Sequence, residues 1–166
     1  HPETFKCLLY ICNKCERLSV SKIEIDITKN IAPQLNKKFP KSNDILFYLG
    51  QLELERKGAI KSLSYLTKIS SSYSKFAESV EQAGAIFRQL KEYNEGRKFL
   101  EAAIKKKPDV PSFYPLLALF HEDTEELDEA KSVLQKGLHQ FPTNEQILYY
   151  LGFLYDKTDQ KEKSVS

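Results

Sequence analysis

Several residue types that would point to a particular class of protein are absent or scarce in this 166-residue chain. It has no methionine, no tryptophan and only three cysteines. It also lacks an apolar run of roughly 18 residues, so no membrane-spanning helix is predicted. Because the chain opens on His1 and has no methionine, we expect it to be a piece of a longer protein or a mature form. Its localisation stays open between cytoplasmic and periplasmic, since no targeting signal is visible.

The three cysteines, Cys7, Cys12 and Cys15, follow the spacing C-x4-C-x2-C. A plant-type iron–sulfur motif opens in this way, but the fourth cysteine that a cluster requires does not follow. A zinc site would also need a fourth ligand, and no histidine stands at a suitable spacing. We therefore interpret the cysteines as small apolar residues of a first helix. Neither a metal nor any other cofactor is predicted, and a reducing compartment is mildly favoured.

Neither positive nor negative charge is in large excess, since the sequence has 25 Lys and Arg and 23 Asp and Glu, for a net charge of +2. This balance argues against nucleic acid and against an acidic membrane surface as partners. The sequence has no Gly-rich phosphate loop, no G-x-S-x-G and no metal-spaced His pair, so no enzyme is predicted. We interpret His121 as a packed residue. The carboxylate pairs Glu122-Asp123 and Glu125-Glu126 are interpreted as solvent-exposed turn surface.

What the sequence does contain is an internal repeat. Pro108 and Pro142 lie 34 residues apart, and apolar residues around the repeated positions follow the 3–4 spacing of one helix face. A second helical pattern follows each time after a short polar turn, which makes each unit an αα-hairpin. The small residue at the centre is expected to let the second helix approach closely. The small residues that recur at the same interval of 34 are Gly50, Gly84, Ala118 and Gly152.

These units resemble the tetratricopeptide repeat, whose pattern is large-x2-L-G-x2-Y, then A-x3-F, then P. The resemblance covers 43–166, with well-matched copies at 77–110 and 111–144, a looser copy at 43–76 and a truncated copy at 145–166. In the looser copy the turn looks shortened. The residues that carry the two good matches are Val80, Ala83, Gly84, Phe87, Gly96, Leu100 and Pro108, then Tyr114, Leu117, Ala118, His121, Ala130, Leu134 and Pro142.

The resemblance implies an all-α fold, a right-handed α-α superhelix (α-solenoid) of stacked helical hairpins. Residues 1–42 are interpreted as a divergent N-terminal helical hairpin, although the alternation of Ile23, Ile25 and Ile27 leaves a short strand possible. The final copy is expected to begin a second helix at Glu162. We expect Leu151, Leu154 and Tyr155 to expose apolar surface there, with a frayed helix or self-association as the consequence.

In this family the first helix of each hairpin lines a concave groove. The resemblance therefore implies a partner-binding surface that mixes aromatic and charged residues. The groove residues predicted by position are Phe47, Gln51, Glu81, Ala85, Arg88, Gln89, Leu119, Glu122, Tyr149 and Phe153.

Family members that bind acidic chaperone tails carry Lys, Asn and Arg on successive first helices. That clamp is missing here, so a chaperone-tail adaptor is disfavoured. The residues at the matching positions are Phe47, Gln51, Gln82, Ser112 and Leu116.

The function predicted from the sequence is that of a protein–protein interaction scaffold, which presents a concave helical groove to a peptide or helix of a partner. The alternative is a structural or self-oligomerisation module of a larger repeat protein. A nucleic-acid-binding helical repeat ranks behind both. The sequence resembles bacterial repeat proteins in general and names no partner or pathway.

Overall fold

The computed structural model describes residue 34 and residues 36–165, with side chains up to residue 159. Internal contacts divide the chain into one unit of residues 1–45 and a second of residues 46–166. The predictions for the three cysteines and for a strand at 23–27 lie outside the described residues. So does most of the hairpin predicted at 1–42, and the predicted domain boundary stays a prediction.

All regular secondary structure in the described residues is α-helical, which confirms the predicted fold class. Three helical hairpins, α1–α2, α3–α4 and α5–α6, are followed by one long helix. The helices are α1 (Asn43–Glu55), α2 (Ala59–Leu66), α3 (Phe76–Gln89), α4 (Tyr93–Lys106), α5 (Phe113–Asp123), α6 (Leu127–Gln140) and α7 (Glu145–Val165).

The helices stack in sequence order. From α2 to α7, each helix packs against the next one along the chain. Successive first helices also touch, α3 against α5 and α5 against α7. This combination of contacts within hairpins and between first helices is what places side chains of different repeats next to one another.

The three hairpin turns have one geometry. Lys57, Lys91 and Glu125, spaced 34 residues apart, have φ values of 58°, 59° and 61°. In each turn the next amide donates a hydrogen bond to the carbonyl five residues earlier, which is the Schellman ending of a helix. The predicted shortening of the first turn is therefore wrong. The shorter element is α2, which has 8 residues where α4 and α6 each have 14.

Pro115 lies in the first turn of α5, which begins at Phe113. Backbone N–H groups in a first turn have no partner within the helix, so proline is tolerated there. Ser112 immediately precedes the helix, but its side chain does not cap it. Its hydroxyl is engaged elsewhere.

Apolar side chains form two clusters within residues 46–166. One joins α1 through α5 and includes Leu46, Leu66, Val80, Ala83, Phe87, Leu100, Phe113, Leu117 and Phe120. The other joins α5, α6 and α7 and consists of Tyr114, Ala118, Ala130, Leu134, Ile147, Leu151 and Leu154.

Helix α7 departs from the sequence-based expectation in two ways. It runs without interruption to Val165, so the second helix predicted from Glu162 is wrong. Leu151 and Leu154 are buried in the α5–α6–α7 cluster, so their predicted exposure is also wrong. The physical reason is that these two leucines face the preceding hairpin, whereas Tyr155 lies on another face and is 49% exposed.

Candidate partner-binding groove

The predicted groove residues lie along the first helices, and polar contacts join these helices one to the next. Between α1 and α3, the Gln51 Nε2 atom donates a hydrogen bond to Gln82 Oε1 at 2.7 Å. The side-chain amides of two glutamines can hydrogen-bond to each other, so this contact fixes the register of α1 and α3 without placing a charge between them.

Two contacts join α3 to α5. Ser112 Oγ donates to Glu81 Oε1 at 2.5 Å. Arg88 binds Asp123 with both ends of its guanidinium, Nε to Oδ2 at 2.5 Å and Nη2 to Oδ1 at 2.9 Å. The hydrogen bond to Asp123 raises the pKa of Arg88 above its ordinary value. A two-point ion pair of this kind fixes orientation as well as distance.

A lysine makes the polar contact between α5 and α7. Lys157 Nζ donates to Glu122 Oε1 at 2.7 Å, and the same ammonium lies 6.0 Å from the centroid of the Phe153 ring. Every step between successive first helices in residues 46–159 thus carries at least one polar contact through a predicted groove residue. We call this set of contacts the polar ladder.

The ten predicted groove residues differ in exposure. Glu81, Ala85, Gln89, Tyr149 and Phe153 are exposed. Gln51, Arg88, Leu119 and Glu122 are half-buried. Their assignment to a partner-binding groove stays a prediction.

Phe47 is buried, unlike the rest of the predicted groove set. Its ring lies 6.3 Å from that of Tyr73, and the Lys75 ammonium lies 4.6 Å from its centroid. Phe47 packs in the cluster that joins α1 to α5. It can therefore support a groove from beneath, but its side chain is not free to anchor a partner.

Four members of the polar ladder lie outside the predicted groove set, namely Gln82, Ser112, Asp123 and Lys157. A signal was present, because the pairs Arg88–Asp123 and Glu122–Lys157 join opposite charges 35 residues apart. Asp123 is exposed, as the sequence predicted, whereas Glu122 is half-buried, and both lie at the end of α5 and pair with a cation on another first helix. Residues at the end of a first helix thus come within reach of the neighbouring repeats once the hairpins stack.

A second polar cluster lies at the α5–α6 turn. Arg97 of α4 pairs with Glu126, and His121 Nδ1 lies 2.8 Å from Glu126 Oε2. Arg97 Nη2 also donates to Asn94 Oδ1 at 2.6 Å. The hydrogen bond from Arg97, with that from His121, lowers the pKa of Glu126 to about 2. Glu126 is therefore an ion-pair partner although its side chain is 37% exposed, and His121 is half-buried in polar contacts.

Among the described residues, no group of three or more His, Cys, Asp or Glu side chains is arranged to hold a metal ion. Within the same residues, no helix combines the length and apolarity needed to cross a membrane.

Stacked αα-hairpins with a 34-residue period, Schellman turns and linked first helices define a tetratricopeptide-like repeat protein. Solved structures show the same fold. MamA, in a crystal structure, is 19% identical with a TM-score of 0.70, and the match covers 99% of this chain and 88% of that one. MamA from Desulfovibrio magneticus RS-1 is 18% identical with a TM-score of 0.67, covering 96% and 88%.

A third similar structure is the first TPR of Spaghetti (RPAP3) bound to the HSP90 peptide SRMEEVD. It is 14% identical with a TM-score of 0.57, and the match covers 70% of this chain and 93% of that one. At these identities the likeness establishes the fold alone. No protein-family model and no curated protein matches the sequence.

Proposed function

We propose that this chain is a protein-interaction scaffold whose first helices present a groove to a peptide or helix of a partner, with no chemistry of its own. The observation that carries the proposal is the polar ladder. It links α1, α3, α5 and α7 through the residues predicted to face the groove. A surface held in one arrangement before binding loses less conformational freedom when the partner arrives.

Exposed side chains between these contacts supply the binding chemistry. Tyr149 is 71% exposed and Phe153 44% exposed, so both rings are available as apolar anchors. Ala85 is small and exposed, and Gln89 offers an amide beside it. Apolar anchors with a few polar groups that set orientation are typical of sites that bind peptides and helices.

The same geometry argues against an acidic peptide tail as the ligand. The Spaghetti (RPAP3) structure contains a peptide that ends in acidic residues and a carboxylate. Here two of the positions expected to carry the clamp, Gln51 and Gln82, are uncharged and bond to each other. We therefore propose a partner segment anchored by apolar or aromatic side chains.

The test is the double substitution Tyr149→Ala with Phe153→Ala. A partner is first recovered with the full chain by pull-down and mass spectrometry, and its affinity for the purified variants is then measured by calorimetry. We expect the double variant to lose at least about 2 kcal/mol of binding free energy, since aromatic anchors often dominate such interfaces. Its thermal midpoint should stay close to that of the unsubstituted chain.

Ile60→Ala is the matched control, because Ile60 is an exposed apolar residue on a second helix, α2. It should leave the affinity unchanged. If the double variant binds as tightly as the control, the groove is not where the partner binds. A steep loss of affinity with added salt would instead favour nucleic acid as the ligand.

A further inference from the structure

Two consecutive residues at the end of α5 bind cations of the first helices on either side. Asp123 binds Arg88 of α3 at two points, with N–O distances of 2.5 Å and 2.9 Å. Glu122 accepts a hydrogen bond from Lys157 of α7 at 2.7 Å. Because α3 and α7 are the first helices before and after α5, a single turn of α5 is attached to both.

The preceding residue, His121, contacts the second helices through another carboxylate. Its Nδ1 atom lies 2.8 Å from Oε2 of Glu126, the residue that immediately precedes α6. Arg97 of α4 pairs with the same oxygen. We call residues 121–123 the junction turn, because these three residues make polar contacts that involve α3, α4, α7 and the start of α6.

Helices α3 and α5 are joined at two places that differ in charge. In their N-terminal parts, the Ser112 hydroxyl donates to Glu81 at 2.5 Å, and neither partner in this contact is a cation. At their C-terminal ends, the contact is the ion pair between Arg88 and Asp123. Without that ion pair, the two helices would stay joined in their N-terminal parts and could separate at their C-terminal ends.

The contact between α1 and α3 is of a different kind, because it joins the uncharged amides of Gln51 and Gln82. Salt has little effect on such a hydrogen bond, whereas it screens an ion pair between partly exposed side chains. The side chains of Arg88 and Lys157 are 33% and 44% exposed. The spacing of α3, α5 and α7 should therefore depend on salt, while the spacing of α1 and α3 should not.

We propose that the junction turn sets the spacing of α3, α5 and α7, and that ionic strength regulates the proposed groove through it. At low salt, the ion pairs of Glu122 and Asp123 hold the C-terminal ends of these first helices together. As salt screens the pairs, the ends separate and this part of the groove widens. The regulation rests on the proposed function, because it changes affinity only if the partner binds along the first helices.

The spacing can be measured without a partner. A ketone-bearing amino acid replaces one exposed residue in each of two helices and carries a nitroxide, which leaves the three cysteines unlabelled. Labels at Gln89 and Asp156 report on α3 and α7, and labels at Glu55 and Gln89 report on α1 and α3. All three residues are exposed. Dipolar electron paramagnetic resonance then gives the two distances.

The variant Glu122→Gln with Asp123→Asn removes both charges and keeps the size of the side chains. Its α3–α7 distance should increase by about 2 Å, the scale of helix shifts at packed interfaces, while the α1–α3 distance stays the same. In the unsubstituted chain, raising NaCl to about 1 M should give the same change, since the Debye length falls to roughly 3 Å. Asp128→Asn is the matched control, because it breaks an ion pair with Lys131 inside α6, and it should change neither distance.

Exchanging the residues of one ion pair tests whether the pair itself sets the distance. Arg88→Asp with Asp123→Arg should restore most of the low-salt spacing, whereas Arg88→Asp alone should not. Affinity is measured with a partner recovered by the full chain. At low salt, Glu122→Gln with Asp123→Asn should weaken binding roughly threefold, as expected for the loss of exposed ion pairs. At about 1 M NaCl, that variant and the unsubstituted chain should bind equally well, because salt then screens the pairs in both.

An unchanged α3–α7 distance in the Glu122→Gln, Asp123→Asn variant would overturn the proposal. An equal change in the α1–α3 distance would also overturn it, because the whole stack would then have loosened. A wider spacing with unchanged affinity would show that the junction turn does not regulate binding. In that case the variant with Tyr149→Ala and Phe153→Ala separates the two ideas. If it weakens binding, the proposed groove stands and only its regulation is wrong, and if it does not, the groove itself is wrong.

Discussion

Helices α3 and α7 occupy the same place in the 34-residue repeat, yet one is buried where the other is exposed. Val80, Gly84 and Phe87 on α3 are covered by neighbouring helices, whereas Leu148 and Tyr155 on α7 are about half exposed. Both helices carry a glycine at the centre of the face. The comparison teaches that the repeat specifies which face of a helix can pack, while the burial of that face depends on whether another helix lies on it.

Attachment to the preceding repeat is similar in the two helices. α3 is joined to α1 through Gln51 and Gln82, and α7 is joined to α5 through Glu122 and Lys157. Leu151 and Leu154 bury α7 against the previous hairpin. The difference between α3 and α7 therefore lies on one face only, and substitutions can isolate it.

The largest expected effect contrasts two leucines. Leu100, which is fully buried, lies in α4, the second helix of the hairpin that α3 begins, and Leu148 of α7 is 46% exposed. Leu100→Ala should destabilise the fold by about 2–5 kcal/mol, because it removes buried methyl groups and leaves a cavity. Leu148→Ala should cost less than about 1 kcal/mol, since much of that side chain is already in water. Chemical denaturation of the two variants measures both values.

An equal loss for the two leucine variants would contradict this difference, and would show that another part of the chain covers α7 in solution. The unsubstituted chain and the Ile60→Ala variant serve as references, because Ile60 is 72% exposed.

Smaller effects on the free energy of unfolding, of opposite sign, are expected from substitutions at two glycines. A Cβ on Gly96 would stand 2.2 Å from Cε1 and 2.5 Å from Cζ of Phe120, a fully buried ring with little room to move. Gly96→Ala should therefore destabilise the fold by about 1–3 kcal/mol through overpacking. Gly152→Ala should stabilise it by about 0.5–1 kcal/mol, because alanine is the better helix former and meets no neighbour.

Thermal unfolding of the two glycine variants gives the sign directly. A destabilising Gly152→Ala would mean that the space beside Gly152 is occupied in solution, for example by a second copy of the chain. Repeating the measurement at several protein concentrations distinguishes that case, since a dimer's midpoint rises with concentration.

The pH dependence of stability should come in part from the inner repeats. The pKa of Glu126 in the folded chain is lowered to about 2 by Arg97 and His121, below its value in an unfolded chain. The ion pair therefore stabilises the fold fully above the unfolded carboxyl's pKa. That stabilisation is lost as pH falls toward 2, because protons then bind the unfolded state more readily.

Glu126→Gln should make the free energy of unfolding depend less on pH in the acid range. At neutral pH it should lower the free energy of unfolding by less than Gly96→Ala does. Denaturant titrations at a series of pH values compare the variant with the unsubstituted chain. An identical slope for both chains would mean that the Arg97–Glu126 contact is not maintained in solution, where water screens a side chain that is 37% exposed.

Much of the fold follows from residue spacing. The interval between Gly50, Gly84 and Gly152 predicted stacked helices, and the regular secondary structure of the described residues is α-helical throughout. Pro115 lies in a first turn, where a proline is tolerated. Local rules suffice for these features, because helix periodicity, turn geometry and tolerance of proline are set within a few residues of the chain.

The groove was harder to read, because its contacts join residues 31 to 35 positions apart. The sequence alone could not show that Asp123 binds Arg88 or that Lys157 binds Glu122. Nor could it show that Phe47 turns inward toward Tyr73. These outcomes depend on the offset between stacked helices, which follows from the packing of many side chains together.

By itself, then, the sequence determined the period, the helices and the small residues on which hairpins pack. The tertiary structure decided which packing faces are covered and which charges meet. The reason is physical: a helix face is amphipathic because of its own residues, but its burial requires a second surface at the right distance. Gly50 has Leu66 over it and Gly152 has open space, although the repeat gives both positions the same residue.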